Sequence, residues 1–304
     1  MNQSNLKKLQ NLLKEKDIDI FVINRSDEYL NEYISPNAER LNFITNFSGS
    51  AGRAIITPTD AFLYVDGRYT FQANTQINAK EIQAKHLNSF WTDLEKILLE
   101  EEYKIALDPT LHSIIEIEKV EKMLENSTSQ LQLIDKNFVD LIWENQPKTQ
   151  YTDIFDHPTS FAGQTRSEKL DILKKFLDQN EIDHYFVSGL DNIAWLLNLR
   201  ADDIKYTPLL YSYLLISKNN KHSLYIKESA MPEILKKEIQ TLININNIEN
   251  IQSIFNNINS SESIGLDFNS TTYYFLDLLR KQKINTKTLA NTCILLKSIK
   301  NETE

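Results

Sequence analysis

The 304-residue chain has 42 acidic and 33 basic side chains, and its net charge of −9 disfavours attraction to nucleic acid or anionic lipid. We therefore expect neither a nucleic-acid nor a membrane partner, and no apolar run approaches the ~20 residues of a membrane-spanning helix. With 41% hydrophobic and 25% charged residues, the composition is typical of a globular protein. The single cysteine, Cys293, excludes an intramolecular disulfide. Together with a polar N-terminus, it predicts a cytoplasmic location.

The first half of the chain alternates helical and strand patterns. Residues 5–14 place four leucines on one face of a helix, and residues 18–29 open with a β-branched and aromatic run typical of a buried strand. Residues 53–57 and 61–65 predict the two strands of a hairpin. Residues 103–124 follow as a strand, a turn and a helix.

The same plan returns in the second half. Residues 167–192 again give an amphipathic helix and then a strand, and residues 263–282 again give strand, turn and helix. In the alignment of the two halves, Ile18, Asp19 and Asp27 match Ile182, Asp183 and Asp191. Asp108 and Asp267 follow the matching strands, where we expect each to cap the next helix.

This internal repetition predicts two α/β domains of one type, each of usual domain size. We place the first domain at residues 1–146 and the second at residues 166–296. Residues 147–165 contain Pro147, Pro158 and Gly163 without sustained periodicity, which predicts a linker.

No catalytic or metal-binding pattern emerges from the residues alone. The five histidines are scattered without metal-ligand spacing, and we interpret His184 as a packed strand residue. A metal site built from distant carboxylates stays open. The run from Gly49 to Gly52 lacks the spacing of a nucleophile elbow or a phosphate loop. We interpret Gly49, Gly52, Asp66 and Gly67 as structural turns around the hairpin.

Specific motifs nevertheless resemble a known family. The first half has, in order, Asn31-Glu32-Tyr33, Arg40, Phe43, Thr45, Phe47, Gly49-Ser50-Ala51-Gly52, Asp66-Gly67-Arg68-Tyr69 and Gln72-Ala73. The second half adds Leu190-Asp191, Ile193-Ala194-Trp195-Leu196, Asn198-Leu199-Arg200, Asp203-Ile204, Tyr206 and Pro208. This combination resembles the N-terminal part of the long, cytosolic-type Xaa-Pro aminopeptidases of the creatinase–prolidase family.

The resemblance implies a fold and a set of site residues. It implies two similar creatinase N-terminal-like domains, each a mixed sheet flanked by helices. It also makes Arg68, Tyr69, Arg200, Asp203 and Tyr206 candidates for a substrate entrance or an interface. The chain departs from the family pattern at four positions, namely Asn31, Ala201, Lys205 and Thr207. The last three of these leave detailed substrate contacts open.

The resemblance further implies that catalysis belongs elsewhere. In this family a C-terminal pita-bread domain holds two divalent metal ions, typically manganese, through two Asp, one His and two Glu. No residues here match that ligand set, and residues 297–304 resemble the lead into that domain. We therefore expect this chain to be inactive alone and to bind no cofactor of its own.

Its expected role is in the homodimer and in access to the active site of an enzyme that removes the residue preceding proline. The expected substrates are peptides with proline at the second position. Two alternatives remain. One is a stand-alone module of this fold that binds proteins without hydrolysing them. The other is creatinase- or prolidase-like specificity, which the two-domain arrangement argues against.

Overall fold

The structure, a computed structural model, describes residues 3–219, 221–290 and 292–304. The chain forms two compact units. The first takes in the chain up to Glu28 together with Ile34–Lys148, and the second takes in Tyr29–Tyr33 together with Thr149–Glu304.

The first unit is a six-stranded sheet with flanking helices. Its strands are β1 (Ile20–Asn24), β2 (Gly52–Ile56), β3 (Ala61–Val65), β4 (Gln83–His86), β5 (Lys104–Leu107) and β6 (Gln130–Leu133). Its helices are α1 (Asn5–Glu15), α2 (Arg40–Thr45), α3 (Thr70–Gln76), α4 (Phe90–Glu100), α5 (Ile114–Leu124) and α6 (Phe138–Ile142). The sheet order is β4-β3-β2-β1-β5-β6, in which β2 runs antiparallel to β1 and β3 and the other neighbours are parallel.

The second unit has its own six-stranded sheet and a two-stranded ribbon. Its strands are β7 (Phe155–Asp156), β8 (His184–Val187), β9 (Leu199–Arg200), β10 (Tyr213–Ser217), β11 (His222–Ile226), β12 (Ile243–Asn247), β13 (Ser263–Leu266) and β14 (Asn285–Thr288). Its helices are α7 (Thr159–Ala162), α8 (Arg166–Gln179), α9 (Leu190–Leu197), α10 (Glu233–Ile239), α11 (Tyr273–Lys281) and α12 (Thr292–Ser298). The order β12-β11-β10-β8-β13-β14 and the strand directions repeat those of the first sheet.

The repeated topology confirms the predicted fold class of two mixed sheets flanked by helices. The opening helix of each unit buries the leucine face that the periodicity predicts, as Leu9 and Leu13 in α1 and Leu173 and Leu177 in α8 show. Each face packs into the hydrophobic core of its own unit.

An aspartate fixes the same strand pairing in both units. The backbone N–H of Lys104 donates to Asp19 Oδ2 at 2.8 Å, and that of Ser263 donates to Asp183 Oδ2 at 2.8 Å. Each aspartate also donates its own N–H to the carbonyl of the same partner residue. The alignment of Asp19 with Asp183 made from the sequence is therefore confirmed by an identical contact at the amino ends of the paired parallel strands.

The expected role of Asp108 and Asp267 is wrong. Helix α5 is capped by Ser113 in a capping box with Glu116, and the N-cap of α11 is Thr272. The two aspartates instead accept hydrogen bonds within turns directly after their strands, as Asp108 does from the N–H of Thr110 at 2.9 Å. The turn after each strand is longer than the sequence pattern suggested, so the helix starts beyond the reach of the aspartate.

The boundaries in the structure differ from the predicted division in two places. Residues of the predicted linker 147–165 belong to the second unit from Thr149 onward, where β7 pairs antiparallel with β9. Residues 297–304, predicted as the start of a further domain, also lie in the second unit, and Asn301 Nδ2 donates to the carbonyl of Ala162 at 2.9 Å. Two-residue strands carry no periodicity, which explains why the sequence pattern missed β7.

Two buried histidines lie beside the turn that joins β10 to β11. His184 Nδ1 lies 3.0 Å from Ser217 Oγ, which confirms that His184 is a packed strand residue. His222 Nδ1 accepts a hydrogen bond from the N–H of Ser217 at 3.1 Å. Burial lowers the pKa of His222 to about 4, and nearby Lys174 acts in the same direction.

We predict that the second unit loses stability in acid partly through His222. Between pH 6.5 and 4 the unfolded chain binds a proton at this side chain while the folded chain does not, so stability falls as pH falls through that interval. The His222→Asn variant keeps an acceptor for Ser217 but does not titrate. This variant should reduce the loss of unfolding free energy between pH 6.5 and 4 by roughly 2–3 kcal/mol.

The measurement is urea unfolding from pH 7.5 to 4, followed by the fluorescence of Trp195. Trp91 and Trp143 of the first unit are replaced by phenylalanine so that the signal reports on the second unit. The control is His86→Asn at an exposed position of the first unit, which should leave the curve unchanged. Parallel pH curves for the wild type and His222→Asn would contradict the prediction.

Candidate functional site

The second unit contains a pocket of about 330 Å³ at the carboxyl ends of β8 and β13. Gly189, Asp191 and Asn192 follow β8 and line one side, and Ser270 follows β13. In open α/β sheets the carboxyl ends of the parallel strands are the usual place for a ligand. The volume lies within the range of small-ligand pockets.

One wall of the pocket is the segment Tyr29–Tyr33. The ring of Tyr29 stacks on Tyr213, with centroids 4.7 Å apart and planes at 24°, and it also stacks on Tyr211. Tyr213 in turn packs against Phe186 in β8. This aromatic stack packs the wall against the core of the second unit. It therefore fixes the position of the following residues Asn31, Glu32 and Tyr33.

A second wall is the loop that carries Ile204, Thr207 and Leu209. Its anchor is Asp203, whose Oδ1 accepts from the N–H of Thr152 at 2.7 Å and whose Oδ2 accepts from the N–H of Tyr211 at 2.9 Å. Burial raises the pKa of the Asp203 carboxyl, and these hydrogen bonds oppose that rise. The structure therefore places Asp203 beneath the loop, where it holds both ends of the loop together.

Tyr206 stands at the tip of the same loop. The N–H of Thr207 donates to the carbonyl of Ile204 at 3.1 Å and closes a tight turn, in which Tyr206 takes a left-handed φ of 66°. Its side chain is 87% exposed, and Lys205 Nζ lies 4.7 Å from the ring centroid. An exposed aromatic ring held on a strained turn is available to contact a ligand or another chain.

Arg200, by contrast, serves the end of α9. Its Nη1 donates to the carbonyls of Ala194 at 2.6 Å and Leu199 at 2.9 Å. Arg166 and Lys169 donate to two further carbonyls of the last turn of this helix. Three cations thus donate to three carbonyls of the last turn of α9, where a helix leaves carbonyls without intrahelical partners. Burial lowers the pKa of Arg200 and lowers that of Lys169 to about 8.

The candidates of the first unit surround the hairpin of β2 and β3. Asp66 caps the turn after β3, since its Oδ1 accepts from the N–H of Arg68 at 3.0 Å and from Arg68 Nε at 2.8 Å. The hydrogen bonds to Arg68 lower the pKa of Asp66. Tyr69 hydroxyl lies 2.6 Å from Ser50 Oγ, which connects the two motifs. The Arg68 side chain is 73% exposed.

The glycines of these motifs allow close packing. Neither Gly49 nor Gly52 has a positive φ. A Cβ at Gly49 would lie 2.2 Å from the ring of Phe47, and one at Gly52 would lie 3.2 Å from the carbonyl oxygen of Tyr64. Both glycines therefore have a steric role, because a side chain at either position would displace Phe47 or the neighbouring strand. The turn function of these glycines stays a prediction.

Both halves match one family. Residues 5–136 match a creatinase/prolidase N-terminal domain, and residues 145–304 match a second such domain. The chain belongs to the creatinase/prolidase N-terminal domain family. The recognition made from the motifs is confirmed.

Among the curated relatives of this family member are proteins named as probable Xaa-Pro aminopeptidases P. The chain is 34% identical over 238 residues to the probable Xaa-Pro aminopeptidase P of Paracoccidioides brasiliensis, an alignment that covers 77% of this chain and 38% of the relative. It is also 34% identical over 235 residues to the probable Xaa-Pro aminopeptidase P of Neosartorya fischeri, covering 76% of this chain and 36% of the relative. The chain thus spans less than two fifths of the length of these relatives.

A solved structure has the same fold over nearly the whole chain. The X-prolyl aminopeptidase of Caenorhabditis elegans superposes with a TM-score of 0.91 at 24% identity, covering 98% of this chain and 51% of that one. That protein is described as a cytosolic enzyme with a di-nuclear active site.

The residues that the structure describes in this creatinase/prolidase N-terminal family member do not fit such a metal centre. Among the described residues, no three or more His, Cys, Asp or Glu side chains come together as metal ligands. No helix in that part of the chain is long and apolar enough to span a membrane.

Several residues that line the pocket were not singled out from the sequence. Asn192, Ser270 and Ile294 are examples, and Asp191 was noted only as part of the repeat and of the family motif. The available signal for Asp191 and Ser270 was their position in the segments that follow the parallel strands β8 and β13. Nothing in the local sequence indicated that Tyr29 would stack on Tyr213, nearly two hundred residues away.

We predict that Asp203→Ala loosens the loop at the pocket without unfolding the second unit. The N–H groups of Thr152 and Tyr211 would lose their shared acceptor, which costs roughly 1–3 kcal/mol locally. Chymotrypsin cleavage after the exposed Tyr206 should become roughly tenfold faster. The double variant Asp203→Ala with Tyr206→Ala should lose this cut. An unchanged cleavage rate in Asp203→Ala would show that the carboxylate does not hold the loop.

Proposed function

We propose that this chain is the non-catalytic, access-controlling part of a dinuclear Xaa-Pro aminopeptidase. The observation that carries the proposal is that both halves of the chain match creatinase/prolidase N-terminal domains, and that 77% of the chain aligns at 34% identity with a probable Xaa-Pro aminopeptidase P. The parent enzyme would remove the N-terminal residue that precedes proline, and its substrates would be peptides with proline at the second position.

The pocket supports the access role. Its walls come from two distant regions of the chain that contain family motifs, the segment Asn31–Tyr33 and the loop that includes Ile204. Within these walls Asn31 and Thr207 depart from the family pattern. Asp203 holds the loop at its base and Tyr206 projects from its tip. We assign Tyr206 as the contact to an entering peptide and Asp203 as the residue that positions it.

The metal chemistry would belong to residues other than these. The described side chains offer no metal-ligand cluster, so the two divalent ions, which we propose to be manganese, would be held outside this chain. When bound, such ions lower the pKa of a bridging water and so supply the nucleophile for peptide hydrolysis. We propose a cytoplasmic location, without a nucleic-acid or membrane partner.

A contribution to the homodimer completes the proposal. Arg68 and Phe71 are exposed near the start of α3, and the Phe71 side chain is 85% exposed. A large aromatic residue beside an arginine is the composition favoured at protein interfaces. We therefore place the contact with the second copy at Arg68 and Phe71, with Tyr69 as its support.

A hybrid enzyme tests the access role. The aligned region of the Paracoccidioides brasiliensis protein is replaced by this chain, and release of the first residue from Xaa-Pro peptides is measured with added manganese. We expect the hybrid to be active and this chain alone to be inactive. Tyr206→Ala in the hybrid should raise the KM by roughly fivefold with little change in kcat, the effect of losing one aromatic contact of about 1 kcal/mol.

The matched control is Phe161→Ala, which removes another exposed aromatic side chain of the second unit. It should leave the KM unchanged. Metal-dependent turnover by this chain alone, or identical kinetics for the Tyr206 and Phe161 variants, would count against the proposal.

Sedimentation of the purified chain tests the dimer contact. The proposed interface predicts reversible association at micromolar concentration. Arg68→Glu should weaken it roughly tenfold, because the substitution removes the arginine contact and places a second carboxylate beside Asp66. Lys80→Glu, another exposed basic position of the first unit, is the control and should sediment like the wild type. A wild-type chain that stays monomeric up to hundreds of micromolar would remove this part of the proposal.

A further inference from the structure

The two units differ at the same edge of their sheets. In the first unit the carboxyl ends of β1 and β5 are filled by buried polar side chains. Asn137 Nδ2 donates to Asp108 Oδ2 at 2.9 Å, and Asp27 is only 2% exposed. Asp27, Asp108 and Asn137 are thus all buried at this edge of the first unit.

In the second unit the equivalent edge is open. Asp191, which aligns with Asp27 in the repeat, has a 56% exposed side chain and lines the pocket. Asp267, which aligns with Asp108, is held in its own turn by Ser270 Oγ at 2.6 Å. The same topological position is therefore closed in one copy of the fold and opened into a cavity in the other.

The walls of the cavity define the chemistry of an occupant. The charged side chains that line it, Glu32 and Asp191, are both acidic. Lys297 forms an ion pair with Asp191 and offsets part of its charge. The electrostatic potential at the mouth of the pocket therefore favours binding of a cation over an anion.

Apolar and hydrogen-bonding groups complete the lining. Ile204, Leu209 and Ile294 supply aliphatic surface, and the Tyr33 ring is 54% exposed. Aromatic faces beside carboxylates suit a guanidinium or ammonium group with an apolar stem. Asn31 and Thr207 also line the pocket and can bond to peptide groups.

We propose that this pocket binds a basic side chain, arginine or lysine, of a peptide together with the adjoining main chain. The proposal rests on the proposed function only in taking the ligand to be a peptide. The cation would contact Glu32 and share Asp191 with Lys297, while its aliphatic stem would lie against Ile204 and Leu209. A multivalent metal ion is a poor occupant because the lining residues provide too few ligands.

The test compares two peptides on the unaltered chain. Ala-Pro-Gly-Arg-Leu labelled with fluorescein at its C-terminus is titrated with the protein, and binding is followed by fluorescence anisotropy at low salt. The second peptide has citrulline in place of arginine, which keeps the shape and removes the charge. We expect the arginine peptide to bind about tenfold more tightly, equivalent to about 1.4 kcal/mol. Equal binding of the two peptides would overturn the proposal.

Variants locate the effect in the pocket. The double variant Glu32→Gln/Asp191→Asn should lose most of the preference for the arginine peptide. The control Glu233→Gln/Glu95→Gln removes two exposed carboxylates, from α10 and α4, with the same change in net charge and should retain the preference. A preference for arginine that survives in the Glu32→Gln/Asp191→Asn double variant would show that the cation binds elsewhere, and would also overturn the proposal.

The two proposals fail in different ways. Binding to the pocket is measured without hydrolysis, so an inactive hybrid enzyme leaves this result intact. Conversely, the hybrid enzyme can be active while this chain binds the two peptides with equal affinity. That result supports the proposed function and contradicts only the inference about the pocket.

Discussion

The parallel pairing of one central strand with the strand that begins about eighty residues later is the constraint on which both units depend. An aspartate at the start of the central strand fixes that pairing, since Asp19 accepts from the N–H of Lys104 and Asp183 from that of Ser263. Loop closure over such a separation has an entropic cost that a specific charged hydrogen bond helps to offset. With the amino ends held together, the carboxyl ends must also share an edge, and that edge is where the second unit has its pocket.

Much of this arrangement could be predicted from the sequence. Hydrophobic periodicity located the opening helices and central strands, and the repetition between the two halves indicated that one topology occurs twice. The motif residues identified the family. Local pattern alone failed where a residue's role depends on a distant partner. Asp108 looked like a helix cap because it follows a strand and precedes a helix, whereas the true caps, Ser113 and Thr272, lie five residues further along each chain segment.

The candidate site shows the same limit. Arg200 and Tyr206 lie only six residues apart in one motif, yet Arg200 satisfies carbonyls of α9 and Tyr206 projects from the loop tip. A sequence motif identifies both residues but does not predict which of the two side chains is exposed. Burial and hydrogen-bond partners make that distinction. They show that Arg200 and Asp203 hold the backbone, and that Tyr206 is exposed at the tip of the loop.

The assignment of Tyr29–Tyr33 to the second unit has a consequence for biosynthesis. Tyr29 leaves the ribosome about 180 residues before Tyr211 and Tyr213, the rings on which it stacks. At translation rates of about 5–20 residues per second, Tyr211 and Tyr213 are synthesised roughly 10–40 s after this segment. Residues on both sides of it belong to the first unit, which can complete its own sheet during that interval. The first unit can therefore be complete while Tyr29–Tyr33 still lacks its aromatic partners, and the segment becomes part of a folded unit only after the second half of the chain has been made.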